Sequence, residues 1–265
     1  MDEFFFLPSS PFSITSILFL LLFSQLSYAN DDIHFTSCSP FDCGNLVNIS
    51  YPFWTDYLDR PAYCGFDYEA YKLKCTQNQQ PLITISSQEF QLVHLNQSRG
   101  LMTIQRVEFG ENTCPGEILI NNVFNYSETA ENVTLFYNCQ RGVLANHILT
   151  CKKEGSEASA MFFKNDGDTC GAEKVEIPVE SKALDELKRG IAALNETLVQ
   201  PFDMKYFGYD GYCRQCKQSG GRCGSNKDSP AIFACYCRDG PHQLKCEAGM
   251  PASVFHSLLT LSESS

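Results

Sequence analysis

Fourteen cysteines follow an apolar leader, and no other feature of this 265-residue chain restricts its fold as much. The leader runs from Met1 to Ala29, with apolar residues concentrated between Ile14 and Leu26. Ser27-Tyr28-Ala29 supplies the small residues that a signal peptidase requires, so cleavage before Asn30 is expected. The acidic Asp2 and Glu3 stand where basic residues are usual, which leaves a retained signal anchor as the alternative. Behind such a leader the chain meets an oxidising compartment, and an even cysteine count reads as a disulfide framework. The half-cystines are Cys38, Cys43, Cys64, Cys75, Cys114, Cys139, Cys151, Cys170, Cys213, Cys216, Cys223, Cys235, Cys237 and Cys246. Each bridge that closes a long loop adds roughly 2–4 kcal/mol by restricting the unfolded chain. The Asn-x-Ser/Thr triplets at Asn48, Asn96, Asn125, Asn132 and Asn195 are glycan acceptors in the same compartment.

Cleavage leaves 236 residues, enough for one large or two modest domains, with 20 basic against 29 acidic side chains and a net charge of −9. That balance argues against nucleic acid, whose binding depends on clustered lysine and arginine. No later segment approaches the roughly 18 apolar residues of a spanning helix. The apolar patch Leu258 to Leu261 is too short for a lipid-anchor signal. A secreted, extracellular product with no membrane span is expected.

The pattern is mainly β. Tyr71–Cys75, Leu82–Ile85, Phe90–Leu95 and Leu101–Val107 alternate or cluster strand formers, with polar breaks at intervals of roughly eight to twelve residues. That spacing suits a small antiparallel sandwich or barrel closed by Cys114-Pro115-Gly116. Further strands are expected at Val133–Cys139 and His147–Lys152, with Glu154–Ala160 a polar loop. Ser181 to Gly190 has a helix start, apolar residues at helical spacing and a glycine stop. Ile191–Val199 reads as strand, and Tyr206–Cys246 as irregular chain held by bridges. The expectation is two small β-rich domains, about 34–115 and 130–250, with one short helix in the second.

Catalytic signatures are missing. No Gly-x-Ser-x-Gly elbow, phosphate-cradling loop or kinase motif occurs, and the histidines (His34, His94, His147, His242, His256) follow no nucleophile pattern. The carboxylate pairs Asp31/Asp32 and Asp166/Asp168 lie in loops, and adjacency does not place two acids across a cleft as a glycosidase needs. Cys213-x2-Cys216-x6-Cys223-x11-Cys235-x-Cys237-x8-Cys246 would suggest zinc inside a cell, but behind a leader it reads as disulfides, so no metal site is expected. Its ending resembles an epidermal-growth-factor-like module, without that module's upstream acidic calcium signature. Binding, not catalysis, is the expected activity.

Aromatic residues crowd between Cys38 and Cys75. Tyr51, Trp54, Tyr57, Tyr63, Tyr68 and Tyr71 could present rings to sugar faces, with Arg60, Lys72, Lys74, Arg99 and Arg106 offering charge-assisted bonds to uronates. Of these, Tyr51, Trp54, Tyr57, Arg60, Tyr68, Lys72 and Lys74 are the chosen ligand-binding candidates. The competing assignment puts Phe53, Trp54 and Phe66 in a disulfide-lined core capped by the tyrosines. Residues 30–110 carry nine acids and five bases, so a polyanion would need a local basic patch, or calcium bridging acids to uronates; no other cofactor is implied.

Cys43-Gly44-Asn45-Leu46, Ile49-Ser50-Tyr51-Pro52-Phe53-Trp54, Cys64-Gly65, the Tyr71–Cys75 strand and Cys114-Pro115 together resemble the galacturonan-binding domain of plant wall-associated receptor kinases. Cys213-x2-Cys216-x2-Ser219-Gly220-Gly221-x-Cys223-Gly224, with Cys235-x-Cys237-x-Asp239-Gly240, resembles their cysteine-rich C-terminal domain. The order is that of leaf-rust-resistance-type receptor-like kinase ectodomains. The resemblance implies a plant apoplastic or cell-wall protein that binds acidic cell-wall polysaccharide, pectin or galacturonan. Family relatives are anchored in the plasma membrane and carry a kinase; this chain is expected to lack both, as a soluble decoy or co-receptor or as a truncated gene product, a membrane receptor kinase being a further partner. Ile191–Tyr212 departs from the short Gly-Phe-rich link of the family. The alternative function is a protein-interaction module, an apoplastic ligand or inhibitor.

Overall fold

A computed structural model describes residues 31–66, 69–107, 114–118, 123–137, 139, 145–164, 173–208 and 210–247. The leader, Tyr68, Asp166, Asp168, Cys170 and the C-terminal tail lie outside the described residues. The chain adopts the mainly β, disulfide-rich class expected of it, and the named strands among the described residues pair antiparallel. A hairpin of β1 (Phe41–Cys43) and β2 (Leu46–Ile49) precedes β3 (Leu73–Lys74), β4 (Leu82–Ile85), β5 (Gln88–Asn96) and β6 (Leu101–Arg106). Their sheet has six strands, ordered β3-β4-β5-β6-β12-β7, and its last two come from later in the chain: β7 (Phe124–Tyr126) and β12 (Phe202–Tyr206). A sheet begun by the first expected domain is thus completed by β7, from between the two expected domains, and by β12, from the second.

Side-chain alternation explains why β12 belongs there. Phe202, Met204 and Tyr206 all point inward, as do Met102 and Ile104 of β6, and the register sets Met204 opposite Met102 and Phe202 opposite Ile104. Phe53, Trp54, Tyr71, Leu73, Phe90 and Leu92 fill the same core. Tyr71 fastens the late strands to it. Its hydroxyl donates to the Val123 carbonyl at 3.0 Å, with the Phe207 carbonyl as a second close acceptor, and accepts the Phe207 N–H at 3.1 Å. Burial drives its pKa well above the ordinary phenol range. Arg106, at the inward end of β6, is also a core residue. Its guanidinium lies 5.7 Å from the Phe90 ring centroid and 5.1 Å from that of Phe202, and Nη1 donates to Leu198 O at 3.2 Å. Burial lowers its pKa to about 10.

A second sheet, ordered β11-β8-β10-β9, joins β8 (Ala130–Tyr137), β9 (Ile148–Lys153), β10 (Ser156–Phe162) and β11 (Lys174–Glu180). The polar run at 154–160, expected as a loop, is mostly strand. Glu154 (φ 51°) and Gly155 (φ 82°) form the tight turn that right-twisted hairpins favour, and Ala160 and Phe162 are buried in the core. After α1 (Ile33–Ser37), the helix expected from Ser181 to Gly190 forms as α2 (Ser181–Lys188) and packs on β8 and β11, its first turn capped by Glu180 accepting Ala183 N–H at 2.8 Å.

The segment 191–199, expected as strand, instead contains helix α3 (Leu194–Leu198). Glu196 accepts the Ala193 N–H at 3.0 Å, and Leu194 and Leu198 bury one helical face. A fourth helix, α4 (Asp210–Gln218), stands where only irregular chain was expected, beside a three-stranded sheet of β13 (Arg222–Asn226), β14 (Ser229–Cys237) and β15 (Gly240–His242).

Bridges join Cys38 to Cys64, Cys43 to Cys75, Cys114 to Cys151, Cys213 to Cys223, Cys216 to Cys235 and Cys237 to Cys246; Cys139 is also disulfide-bonded. Close approach dictates glycine at Gly65 and Gly221, as it does at Gly44 and Gly224. A Cβ on Gly65 would lie 2.4 Å from the Trp54 ring, and one on Gly221 would lie 2.5 Å from Cys235 Sγ. Replacing Tyr71 with Phe removes the hydroxyl that donates to the Val123 and Phe207 carbonyls and accepts the Phe207 N–H, while the direct bond from Phe207 N–H to the Val123 carbonyl at 2.9 Å remains, and should cost about 0.5–1.5 kcal/mol in urea unfolding with native far-ultraviolet dichroism retained. A cost below roughly 0.5 kcal/mol would remove Tyr71 from this role.

Candidate functional site

The candidates named from the aromatic segment are placed apart. Tyr51 and Trp54 are buried, and the Lys72 ammonium lies over the Trp54 ring at 5.2 Å while pairing with Asp56 at 3.0 Å. Lys74 on β3 pairs with Glu89 on β5, across the intervening β4. Arg60 donates to the carbonyls of Ser37 and Ser39 and lies 4.5 Å from the Phe41 ring centroid, with burial, aided by Arg222, lowering its pKa to about 10. Tyr57 is exposed beside it, in a small cleft that also contains Asp42 and Asp59. Thus Lys72 and Lys74 face acids, and the two largest rings serve the core.

A larger opening lies where the N-terminal sheet meets the cystine-rich sheet. Two clefts of about 480 and 460 Å³ share Tyr51, Gln97 and Lys217 in their walls and so form one groove. One wall is the end of β2 with the 97–100 turn between β5 and β6; the other is α4 and the 220–223 segment. Asp210, Cys213, Arg214 and Lys217 recur at i, i+3, i+4 and i+7, which turns one stripe of α4 onto the groove. Cys213 and Cys216 fix the helix by bridges to Cys223 and Cys235.

Tyr51 is the floor. Its ring meets Phe233 edge-on at 5.8 Å and Phe66 at 6.3 Å, so the residue expected to stack on sugar docks the two sheets instead. Above it Ser50 is fixed from both sides: its Oγ donates to Gln97 Oε1 at 2.8 Å and accepts from Lys217 Nζ at 3.1 Å.

The groove gathers Arg99, Arg214, Lys217 and Arg222 against one carboxylate, Asp210. Arg222 is held by the Phe35 carbonyl and Ser39 Oγ, whereas Arg99 and Arg214 make no ion pair within 4.0 Å among the described residues. Burial holds the Lys217 ammonium below its ordinary range, countered by Asp210. It also raises the Asp210 carboxyl, countered by Arg214 and Lys217. The groove therefore presents positive charge and hydrogen-bonding groups (Asn48, Ser50, Gln97, Ser98) suited to an elongated anion with hydroxyls. Cys237, Asp239 and His242 have ligand atoms within 4.8 Å of one another, but Cys237 is already bridged to Cys246, which makes it a poor metal ligand.

The groove residues were hard to foresee. Arg99 is among the basic candidates of the sequence, while Arg214 and Lys217 are legible only with α4. Its signals were Asp210 in the first turn, cysteines three apart and the Gly220-Gly221 stop.

The wall-associated receptor kinase galacturonan-binding family matches residues 38–106, and the wall-associated receptor kinase C-terminal family matches residues 127–240. Residues 38–106 and 127–240 thus carry these two wall-associated receptor kinase domains in series. Similar proteins include leaf rust 10 disease-resistance locus receptor-like protein kinase-like 2.1 of Arabidopsis thaliana, 29% identical over 90% of this chain and 39% of the relative. The corresponding kinase-like 1.4 of the same plant is 28% identical over 91% of this chain and 36% of the relative. The chain thus spans less than two fifths of the length of either relative. No solved structure matches it. No helix among the described residues is long and apolar enough to cross a membrane. The groove lies between the matched modules: Tyr51, Gln97 and Arg99 belong to the first, and Asp210, Arg214, Lys217 and Arg222 to the second.

A carboxyl titration followed by NMR should find Asp210 above the usual aspartate range. Because Lys217 lowers that pKa, Lys217→Met should raise it further; an unchanged or lowered value would contradict this electrostatic account.

Proposed function

We propose that this protein binds acidic cell-wall polysaccharide of the galacturonan class, and that the ligand lies in the groove between the two modules. One observation carries the reading. In a chain of net charge −11, Arg99 and Arg214 converge with Lys217 on a single groove, and the two arginines have no ion-pair partner among the described residues. Guanidinium groups bind carboxylates in bidentate fashion, and a polyuronate repeats a carboxylate on every sugar. The ring hydroxyls find partners in the second Gln97 amide N–H and in Ser98. The matched galacturonan-binding family supports the same ligand class. Recognition relies on charge and hydrogen bonds more than on stacking, since Tyr51 and Tyr206 in the groove wall are buried.

Both modules are of an extracellular, non-catalytic kind in receptor kinases, which supports a binding role outside the cell. The local basic patch removes the need for calcium to bridge protein acids to uronates.

Calorimetry of the folded, oxidised protein with oligogalacturonide tests this, with and without calcium and at two salt concentrations. Affinity should fall with salt. Arg214→Ala should weaken binding about tenfold, the equivalent of one charge-assisted hydrogen bond. Lys72→Ala should leave it unchanged, because Lys72 already pairs with Asp56. No heat under any condition, or a loss with Lys72→Ala and none with Arg214→Ala, would overturn the proposal.

A further inference from the structure

We propose that an N-linked glycan on Asn48 gates one arm of this groove, so that glycosylation and polyuronate occupancy oppose one another. The inference rests on the binding reading above but adds a modification and its regulatory effect. Of the five glycan-acceptor asparagines in the sequence, Asn48 stands in the wall of the 480 Å³ cleft. It is exposed, and its backbone is in the left-handed region (φ 57°) that asparagine tolerates well. That conformation is fixed from both sides: its N–H donates to Asp42 Oδ1 at 2.8 Å, and its carbonyl accepts from Gln97 Nε2 at 2.9 Å. The backbone therefore holds the side chain at the mouth without using its amide group.

The same triplet reaches the groove's charge. Ser50 Oγ accepts from the Lys217 ammonium at 3.1 Å, so the acceptor asparagine stands two residues along the chain from the group that holds the cation the two clefts share. In the modification, the glycan's anomeric carbon bonds to Asn48 Nδ2. The amide loses a proton, and lipid pyrophosphate leaves the donor, an oligosaccharyl lipid pyrophosphate of the secretory route. A branched, hydrated glycan rooted there covers the arm containing Lys217 and Arg222. Arg99 and Arg214, in the second cleft, stay open. A long polyuronate that needs both arms is hindered, whereas a short one that fits the second arm is not.

The contrast with Asn195 is informative. Asn195 is exposed on α3 and belongs to neither cleft, so a glycan there has no route to these cations.

The test uses the full chain from a secreting eukaryotic host. Glycopeptide mass spectrometry should find Asn48 occupied. Asn48→Gln should raise affinity for a long oligogalacturonide about tenfold, the equivalent of one recovered charge-assisted contact, and leave a trimer unchanged. Trimming the folded protein with an endoglycosidase should act in the same direction without altering the residue at the left-handed position. Asn195→Gln should have no effect. Independently of any polysaccharide, amine labelling of Lys217 should be severalfold faster once the Asn48 glycan is removed. An unoccupied Asn48, or unchanged Lys217 labelling after glycan removal, overturns the gate and leaves the binding reading intact. Faster labelling with no oligogalacturonide binding by any form overturns the binding reading, and opposition to polyuronate falls with it.

Discussion

The structure hangs on β12. Its five residues arrive roughly a hundred positions after β6, pair with that strand and with β7, and carry Phe202, Met204 and Tyr206 into a core laid down by the first hundred residues. The Tyr71 hydroxyl fixes the exit of this strand through the backbone of Phe207. From that fixed point the chain turns within a few residues into α4, so where β12 ends decides where Arg214 and Lys217 stand. The groove is a consequence of this crossing.

A second set of contacts closes the circle from the other terminus. Phe35 of α1 lies under the guanidinium of Arg222 at 4.0 Å and near that of Arg238 at 5.1 Å, while Asp31 pairs with Arg238 at 2.8 Å. Ser225 Oγ donates to Gly65 O at 2.6 Å, beside the ring stack of His34, Tyr63 and Tyr236. The cystine-rich sheet is thereby held to the first module by arginines placed on aromatic faces and backbone carbonyls, leaving Arg99 and Arg214 for other anions. Charge is apportioned by geometry: Lys72 and Lys74 face Asp56 and Glu89 across short gaps, whereas the groove cations face one crowded Asp210.

Much of this was legible in the sequence, for identifiable reasons. Strands at 82–85, 90–95 and 101–107 showed because residue type and period agree there, and the cysteine count foretold a bridged framework. The failures share a cause, namely long-range contacts that override local pattern. Trp54 reads in the sequence either as a sugar-facing ring or as a core ring beside Phe53 and Phe66, and only the space beside Gly65 decides for the core. The polar strand at 156–162 is licensed by partners on both sides, β8 and β9. Helix α4 is held by bridges to Cys223 and Cys235, which no local propensity reveals. The site suffered the same fate: its walls come from positions about 48–51, 97–100 and 210–223, and only the fold brings them together.

Hydrogen–deuterium exchange of the protein with and without a bound oligogalacturonide tests the central claim most directly. A ligand that spans the groove predicts new protection both in the 97–100 turn and along α4 to residue 223, with the aromatic segment around Tyr57 unchanged. Protection confined to residues around 54–75, with α4 exchanging as before, would place the ligand on the first module alone and contradict the account.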